Sequence, residues 1–208
     1  MTAAQTKLTL TQRKRLDILA AARAEFLEAG FRDTSMDRVA ERAQVSKRTV
    51  YNHFPSKDDL FKAITHQFIE EMRQAISVAY DAEQPIENQL REIAEREVAQ
   101  VTHPDYVAMF RVFLAEVSNF QDMFAEILEE TGSGHDPIEA WIQAAADDGK
   151  LRVASGALAA NQFTSLLKGA LFWPLIAGYG EPASKKEQAA AIDGAVAMFL
   201  DHYATDAQ

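Results

Sequence analysis

The chain has 208 residues, 48% hydrophobic and 25% charged, with a formal net charge of −10 and no cysteine. That composition suits a folded globular protein long enough to bury a sizeable core. It excludes a disulfide framework and any cysteine-ligated metal centre. No segment has the length and apolarity of a membrane span, and the first residues lack a signal-peptide core, so a cytoplasmic location is expected. The charge is uneven. Residues 1–62 hold 12 Lys/Arg and 8 Asp/Glu, a balance of +4, and the remaining 9 and 23 leave −14 for residues 63–208. A basic head on an acidic body suits a protein whose head meets a polyanion.

After a polar lead, Thr11 can cap a first helix with Leu16, Leu19, Phe26 and Leu27 on its inner face and Gly30 as its stop. Arg13, Lys14 and Arg15 stand at its start, placed for phosphate contacts or for solvent. Thr34 is a cap candidate, with Asp37 three residues on as the acidic half of a capping box. Met36, Val39, Ala40 and Ala43 then form the apolar stripe of a short helix. Gln44-Val45 interrupts it, and Ser46 can cap a second short helix, Lys47 to His53, that buries Val50 and Phe54. Pro55 stops that helix, and Ser56 with Asp59 repeats the capping spacing at the start of a third.

Two short helices joined by a tight turn, the second one polar, basic and aromatic, read as a helix-turn-helix whose second helix enters the major groove. Lys47 and Arg48 can donate to guanine edges or phosphates, and Asn52 can pair with adenine. Thr49, Tyr51, His53 and Lys57 carry donors suited to phosphate oxygens, which set register, and Thr34 and Ser46 complete the DNA-binding candidates.

The third helix keeps its apolar spacing through Leu60, Phe61, Ile64, Phe68, Met72 and Ile76 to about Ala79, a rod of roughly 35 Å. It is a candidate lever between a head, residues 1–60, and a body, residues 61–208. Gln84-Pro85 opens a helix with Ile86, Leu90, Ile93, Ala94 and Val98 in register, broken at Thr102-His103-Pro104. Helices follow over Tyr106–Glu116 and Phe120–Glu130, then a loop at Gly132-Ser133-Gly134, then a helix from Asp136-Pro137 to Gly149. Residues 155–178 are nearly apolar on every side, as for a helix buried on two faces, with Pro174 kinking its end. Residues 185–204 form the last helix. The fold class is all-α, about nine helices: a three-helix DNA-binding head and a helical ligand-binding and dimerisation body.

Residues 12–61 resemble the N-terminal domain of TetR-family transcriptional regulators. The resemblance rests on A-G-F at 29–31, T-S-M-D-x-V-A from Thr34, A-x-V-S from Ala43 and T-V-Y-N-H-F-P-S-K-D-D-L-F from Thr49. The family usually has Gly in the turn where this chain has Gln44. A left-handed residue there costs a non-Gly side chain roughly 1–2 kcal/mol. Residues 106–180 are similar to the C-terminal domain of AefR-like members, in F-R-V-F-L-A-E-V, F-Q-D-M-F, D-D-G-K-L and a long apolar helix. The resemblance implies a regulator of efflux or of a response to a lipophilic or aromatic compound, released from a palindromic double-stranded DNA operator.

Small residues on the last two helices permit a four-helix homodimer interface. Its candidates are Ala157, Ala160, Gly169 and Trp173 on one helix, and Ala189, Ile192, Val196 and Phe199 on the other; packing within one chain would use the same residues. For a small hydrophobic effector, the candidate apolar walls are Phe68, Met72, Phe110, Phe113, Phe124, Trp141 and Phe172. Arg111, Asn119 and Asn161 could orient it, although aromatics at this spacing also suit a core. An alternative is a DNA-binding dimer whose body takes a protein partner. No enzyme is expected, and no cofactor or metal: His53, His66, His103, His135 and His202 lack metal-ligand spacing, and no nucleophile elbow or phosphate loop occurs.

Overall fold

The computed structural model describes residues 9–131 and 136–205. The expected loop at Gly132-Ser133-Gly134, His135 and the first eight residues lie outside them. The described residues form eleven helices and no strand beyond an isolated bridge between Leu151 and Ala204.

Helix α1 (Leu10–Asp33) starts two residues earlier than expected because Thr9, not Thr11, caps it. Gln12 N–H donates to Thr9 Oγ1 while Thr9 N–H donates to Gln12 Oε1, a reciprocal capping box. Ile18, Leu19, Ala22 and Phe26 are buried, whereas Leu16 is 47% exposed and not on the inner face. Gly30 breaks the helix, as expected, at φ 79°. Helix α2 (Met36–Arg42) is capped by Ser35, whose side chain accepts from Arg38 N–H. Thr34 is not the cap. It is buried one residue earlier, its hydroxyl 2.8 Å from Gly30 O and 3.1 Å from Glu25 O. Helix α3 (Lys47–His53) has the expected bounds and the expected Ser46 cap. Helix α4 (Lys57–Ile76) ends three residues short of Ala79, so its 20 residues span about 30 Å.

Five helices fill the middle of the chain: α5 (Ile86–Val101), α6 (Pro104–Glu116), α7 (Gln121–Thr131), α8 (Asp136–Asp147) and α9 (Gly156–Leu171). Pro174 does not merely kink the long apolar stretch: a separate short helix, α10 (Trp173–Ala177), forms around it and ends at left-handed Gly178. Helix α11 (Lys185–Tyr203) carries a Ser184–Glu187 capping box.

The chain divides into two compact units, Met1–Gln67 with Val112–Ile127, and Phe68–Arg111 with Leu128–Gln208. In the first, a glutamate and a phenylalanine organise the packing. Glu25, 3% exposed, pairs with Arg38 at 2.8 Å and Arg42 at 2.7 Å, fixing α2 on α1. Phe61 sits among Phe31, Phe113 and Phe120 at ring separations of 4.7, 5.5 and 5.4 Å. Fully burying each such ring contributes roughly 1.5–3 kcal/mol.

The second unit is a helical bundle of α5, α8, α9 and α11 around Leu90, Ile93, Trp141, Phe163, Leu167 and Phe199. The Trp141 indole N–H donates to Gln89 Oε1 at 3.3 Å, which satisfies the one polar atom of a buried ring. Helix α9 is not buried on two faces. Ala159, Ala160, Phe163, Leu167 and Leu171 are buried, while Leu158 is 56% and Leu166 37% exposed on the opposite side.

Candidate nucleic-acid interface

The turn between α2 and α3 closes as a Schellman motif. Val45 N–H donates to Ala40 O and Gln44 N–H to Glu41 O, both at 3.0 Å. This demands a left-handed residue at position 44, and Gln44 adopts φ 53°. Ser46 then accepts from Thr49 N–H at 3.1 Å, and its hydroxyl lies 2.8 Å from that of Thr49. Val50 and Phe54, 0% and 2% exposed, anchor α3 to the core. Anchoring on those two residues leaves the other face open. Lys47, Arg48, Tyr51 and Asn52 are exposed, and Thr49 and His53 are half-buried beside them.

These side chains are not equally available. Lys47 Nζ lies 2.7 Å from Asp37 Oδ1, and this hydrogen-bonded carboxylate holds the ammonium above its ordinary range. Among the described residues, Arg48 and Asn52 make no hydrogen bond or ion pair, so their donors remain for a partner. Lys57, read from sequence as a phosphate contact, and Thr34, read as a DNA-binding candidate, point into the protein. Lys57 Nζ donates to the carbonyls of Phe31, Arg32 and Thr34 at 2.8, 3.0 and 3.0 Å and lies 4.5 Å from the Phe31 ring centroid. One contact was not legible in the sequence: the Arg15 guanidinium lies over the Phe54 ring at 4.4 Å, so the basic start of α1 meets the end of α3.

A profile described as "AefR-like transcriptional repressor, C-terminal domain" matches residues 88–205, more than half of the chain. The chain belongs to the TetR family. A second profile, "Bacterial regulatory proteins, tetR family", matches residues 18–64, which span the helix-turn-helix. This TetR-family chain is 40% identical over 73 residues to the HTH-type transcriptional regulator YhgD of Bacillus subtilis (strain 168), covering 35% of this chain and 38% of that one. It is 35% identical over 75 residues to the HTH-type transcriptional activator FasR of Mycolicibacterium smegmatis, 34% of each chain. The matches therefore span little more than a third of either curated relative.

Likeness to solved structures runs further. A TetR family transcriptional regulator from Pseudomonas syringae pv. tomato str. DC3000 has a TM-score of 0.80 and 34% identity, over 95% of this chain and 100% of that one. The flavonoid-responsive regulator FrrA has a TM-score of 0.78 and 28% identity, over 94% and 99%. The protein is a DNA-binding transcriptional regulator, in a family of transcription factors rather than enzymes.

The ten effector candidates fall at separate places in this TetR-family fold. Phe113 and Phe124 pack around Phe61 in the first unit. In the second, Phe68, Phe110 and Phe172 gather around Tyr106, while Met72 is half-buried, its carbonyl accepting from Gln100. Trp141 lies in the bundle core, and exposed Arg111 donates to Leu175 O. Asn161 is exposed in a groove of about 500 Å³ between α9 and α11, and Asn119 donates to Glu116. Of the dimer candidates, Ala160, Ile192, Val196 and Phe199 are buried within the chain; Ala157, Gly169, Trp173 and Ala189 are exposed. Among the described residues, no helix is long and apolar enough to cross a membrane, and no group of side chains suits a metal.

Proposed function

We propose that the protein is a homodimeric repressor that binds a palindromic operator in the cytoplasm and leaves it when a small lipophilic or aromatic effector binds its second unit. The observation that carries the DNA half is the open face of α3, with Arg48 and Asn52 free of partners among the described residues and Tyr51 42% exposed. Arg48 and Asn52 read base edges; Ser46, Lys47, Thr49, Tyr51 and His53 set register on phosphates. A single short helix reads few bases, so a two-fold pair is needed to specify an operator. The exposed apolar side of α9, with Leu158, Leu166 and neighbouring Trp173, and Met198 on α11 supply a surface for the second copy.

The repressor description of the matched C-terminal profile and the flavonoid response of the similar regulator FrrA support effector release. Helix α4 carries residues of both units and is the lever. The two recognition helices must stand near one helical turn apart, about 34–36 Å. An effector that prefers another spacing releases DNA by its differential affinity alone.

The test is fluorescence anisotropy on the gene's own upstream DNA, with random DNA as control. The expected result is a preference of about a thousandfold or more, reduced by Arg48→Ala and Asn52→Ala on the operator and little changed by them on random DNA. Equal loss on both DNAs would show that these side chains only touch phosphate.

A further inference from the structure

Within the first unit, the start of α1 lies beside the end of α3, and one side chain joins them. The guanidinium carbon of Arg15 stands over the Phe54 ring, 4.4 Å from its centroid. Phe54 is the C-cap of α3, its N–H donates to Val50 O at 2.8 Å, and its side chain is buried. That ring is therefore as fixed as the helix it ends. Stacking occupies the face of the guanidinium and leaves its rim open. Arg15 is exposed, and among the described residues no hydrogen bond or ion pair takes any of its five N–H groups. A planar group held by its face, with donors around its edge, is set for a forked contact with two oxygens of one acid group.

The surrounding charges say which kind of acid. Arg13 and Lys14 make no hydrogen bond through their side chains and no ion pair among the described residues, and Asp17, one turn on, pairs with none of the three cations. On α3, Arg48 and Asn52 are free in the same sense, two and six residues before Phe54. The two lysines nearest that helix are occupied, Lys47 by Asp37 and Lys57 by three backbone carbonyls. Free cations thus stand on both elements that meet at Phe54. Several uncompensated cations along one surface suit a polyanion better than a single small anion.

We propose that Arg15 is a DNA contact outside the recognition helix: its guanidinium, seated on Phe54, holds a backbone phosphate flanking the bases that α3 reads, and Arg13 and Lys14 add charge beside it. Because the guanidinium rides on the end of α3, this contact fixes the register of that helix and adds affinity without reading sequence. It rests on the reading of α3 as the recognition helix and extends the interface to a second element.

The test is anisotropy of the full-length protein on its upstream DNA and on random DNA across a salt series, at a temperature well below melting for every variant. Arg15→Gln weakens binding to both DNAs by the same factor, about tenfold per chain, the worth of one hydrogen-bonded contact with a charged group. It also lowers the log–log salt slope by about 0.9 per chain. Arg15→Lys keeps the slope and recovers only part of the affinity, since an ammonium carries the charge without the fork. Two results overturn the proposal. An unchanged slope with loss confined to the upstream DNA means that Arg15 only steadies α3 through Phe54. Unchanged affinity and slope on both DNAs mean that the side chain faces solvent. Failure of the α3 reading looks different: Arg48→Ala and Asn52→Ala leave the preference for upstream DNA intact, while Arg15→Gln still lowers the slope on random DNA.

Discussion

Lys57 follows the exposed end of α3 by four residues, yet its ammonium group donates to three carbonyls 23 to 26 residues earlier in the chain. Those carbonyls belong to the segment after Gly30, where the helix ladder is broken and its acceptors need donors. Lys57→Met therefore removes a clamp on the end of α1. The expected cost is about 1.5–3 kcal/mol in urea unfolding, typical of hydrogen bonds to a charged group. Unchanged stability with weakened DNA binding would instead return Lys57 to phosphate contact. Gln44 is the opposite case, a residue whose conformation was legible from the Gly that the resembling family usually has in that turn. The turn requires φ above zero whatever the side chain, and Gln44 complies at 53°. Gln44→Gly relieves the strain of roughly 1–2 kcal/mol but adds unfolded-state entropy, leaving a net gain of about 0.5–1 kcal/mol. The spacing of Thr34, Ser35 and Asp37 could not say which hydroxyl caps α2. That depends on where Gly30 turns the chain, which buries Thr34 and leaves Ser35 to accept from Arg38.

At the scale of elements, apolar periodicity located most of the helices, because a helix in a bundle must hide one stripe. It misjudged α9, whose exposed side keeps Leu158 and Leu166 among Asn161, Gln162 and Ser165; composition cannot tell a face covered by the same chain from one left open. The segment between α4 and α5 gave no periodic signal at all, and its order comes from side chains. Tyr80 donates to Asp148, just past the end of α8, at 2.6 Å, and its ring meets Trp141 edge-on at 5.8 Å. Burial first, then the hydrogen bond to Asp148, push the phenol up to about 12. A raised acid titrates later in the folded state than in the unfolded one. Its contribution is thus complete below the unfolded value near 10 and is lost as pH rises through about 12. Melting temperature should fall over that window, and Tyr80→Phe should flatten part of the fall, Tyr106, whose phenol burial also raises, supplying the remainder. An unchanged slope in Tyr80→Phe would mean that the phenol ionises as freely in the folded chain as in the unfolded one.

For the molecule as a whole, the first unit takes in residues 112–127 as well as the N-terminal helices. The Phe61 cluster that joins them draws on rings more than 50 residues away, a separation that local patterning cannot reveal. The charge division was legible, and the structure refines it. Of the basic groups around α3, Lys47 is already neutralised by Asp37, while Arg48 is free among the described residues. DNA affinity falls with salt by about 0.9 in log–log slope for each phosphate neutralised. If Lys47 stays with Asp37 on the operator, Lys47→Ala exposes a bare carboxylate to phosphate, and Asp37→Asn frees a cation. Asp37→Asn should then tighten binding and steepen the salt slope by about one per chain, two for the proposed dimer. Lys47→Ala in the Asp37→Asn background should reverse that gain. If Asp37→Asn loosens binding without changing the slope, the pair serves chiefly to hold α2 against α3, and Lys47 carries no phosphate.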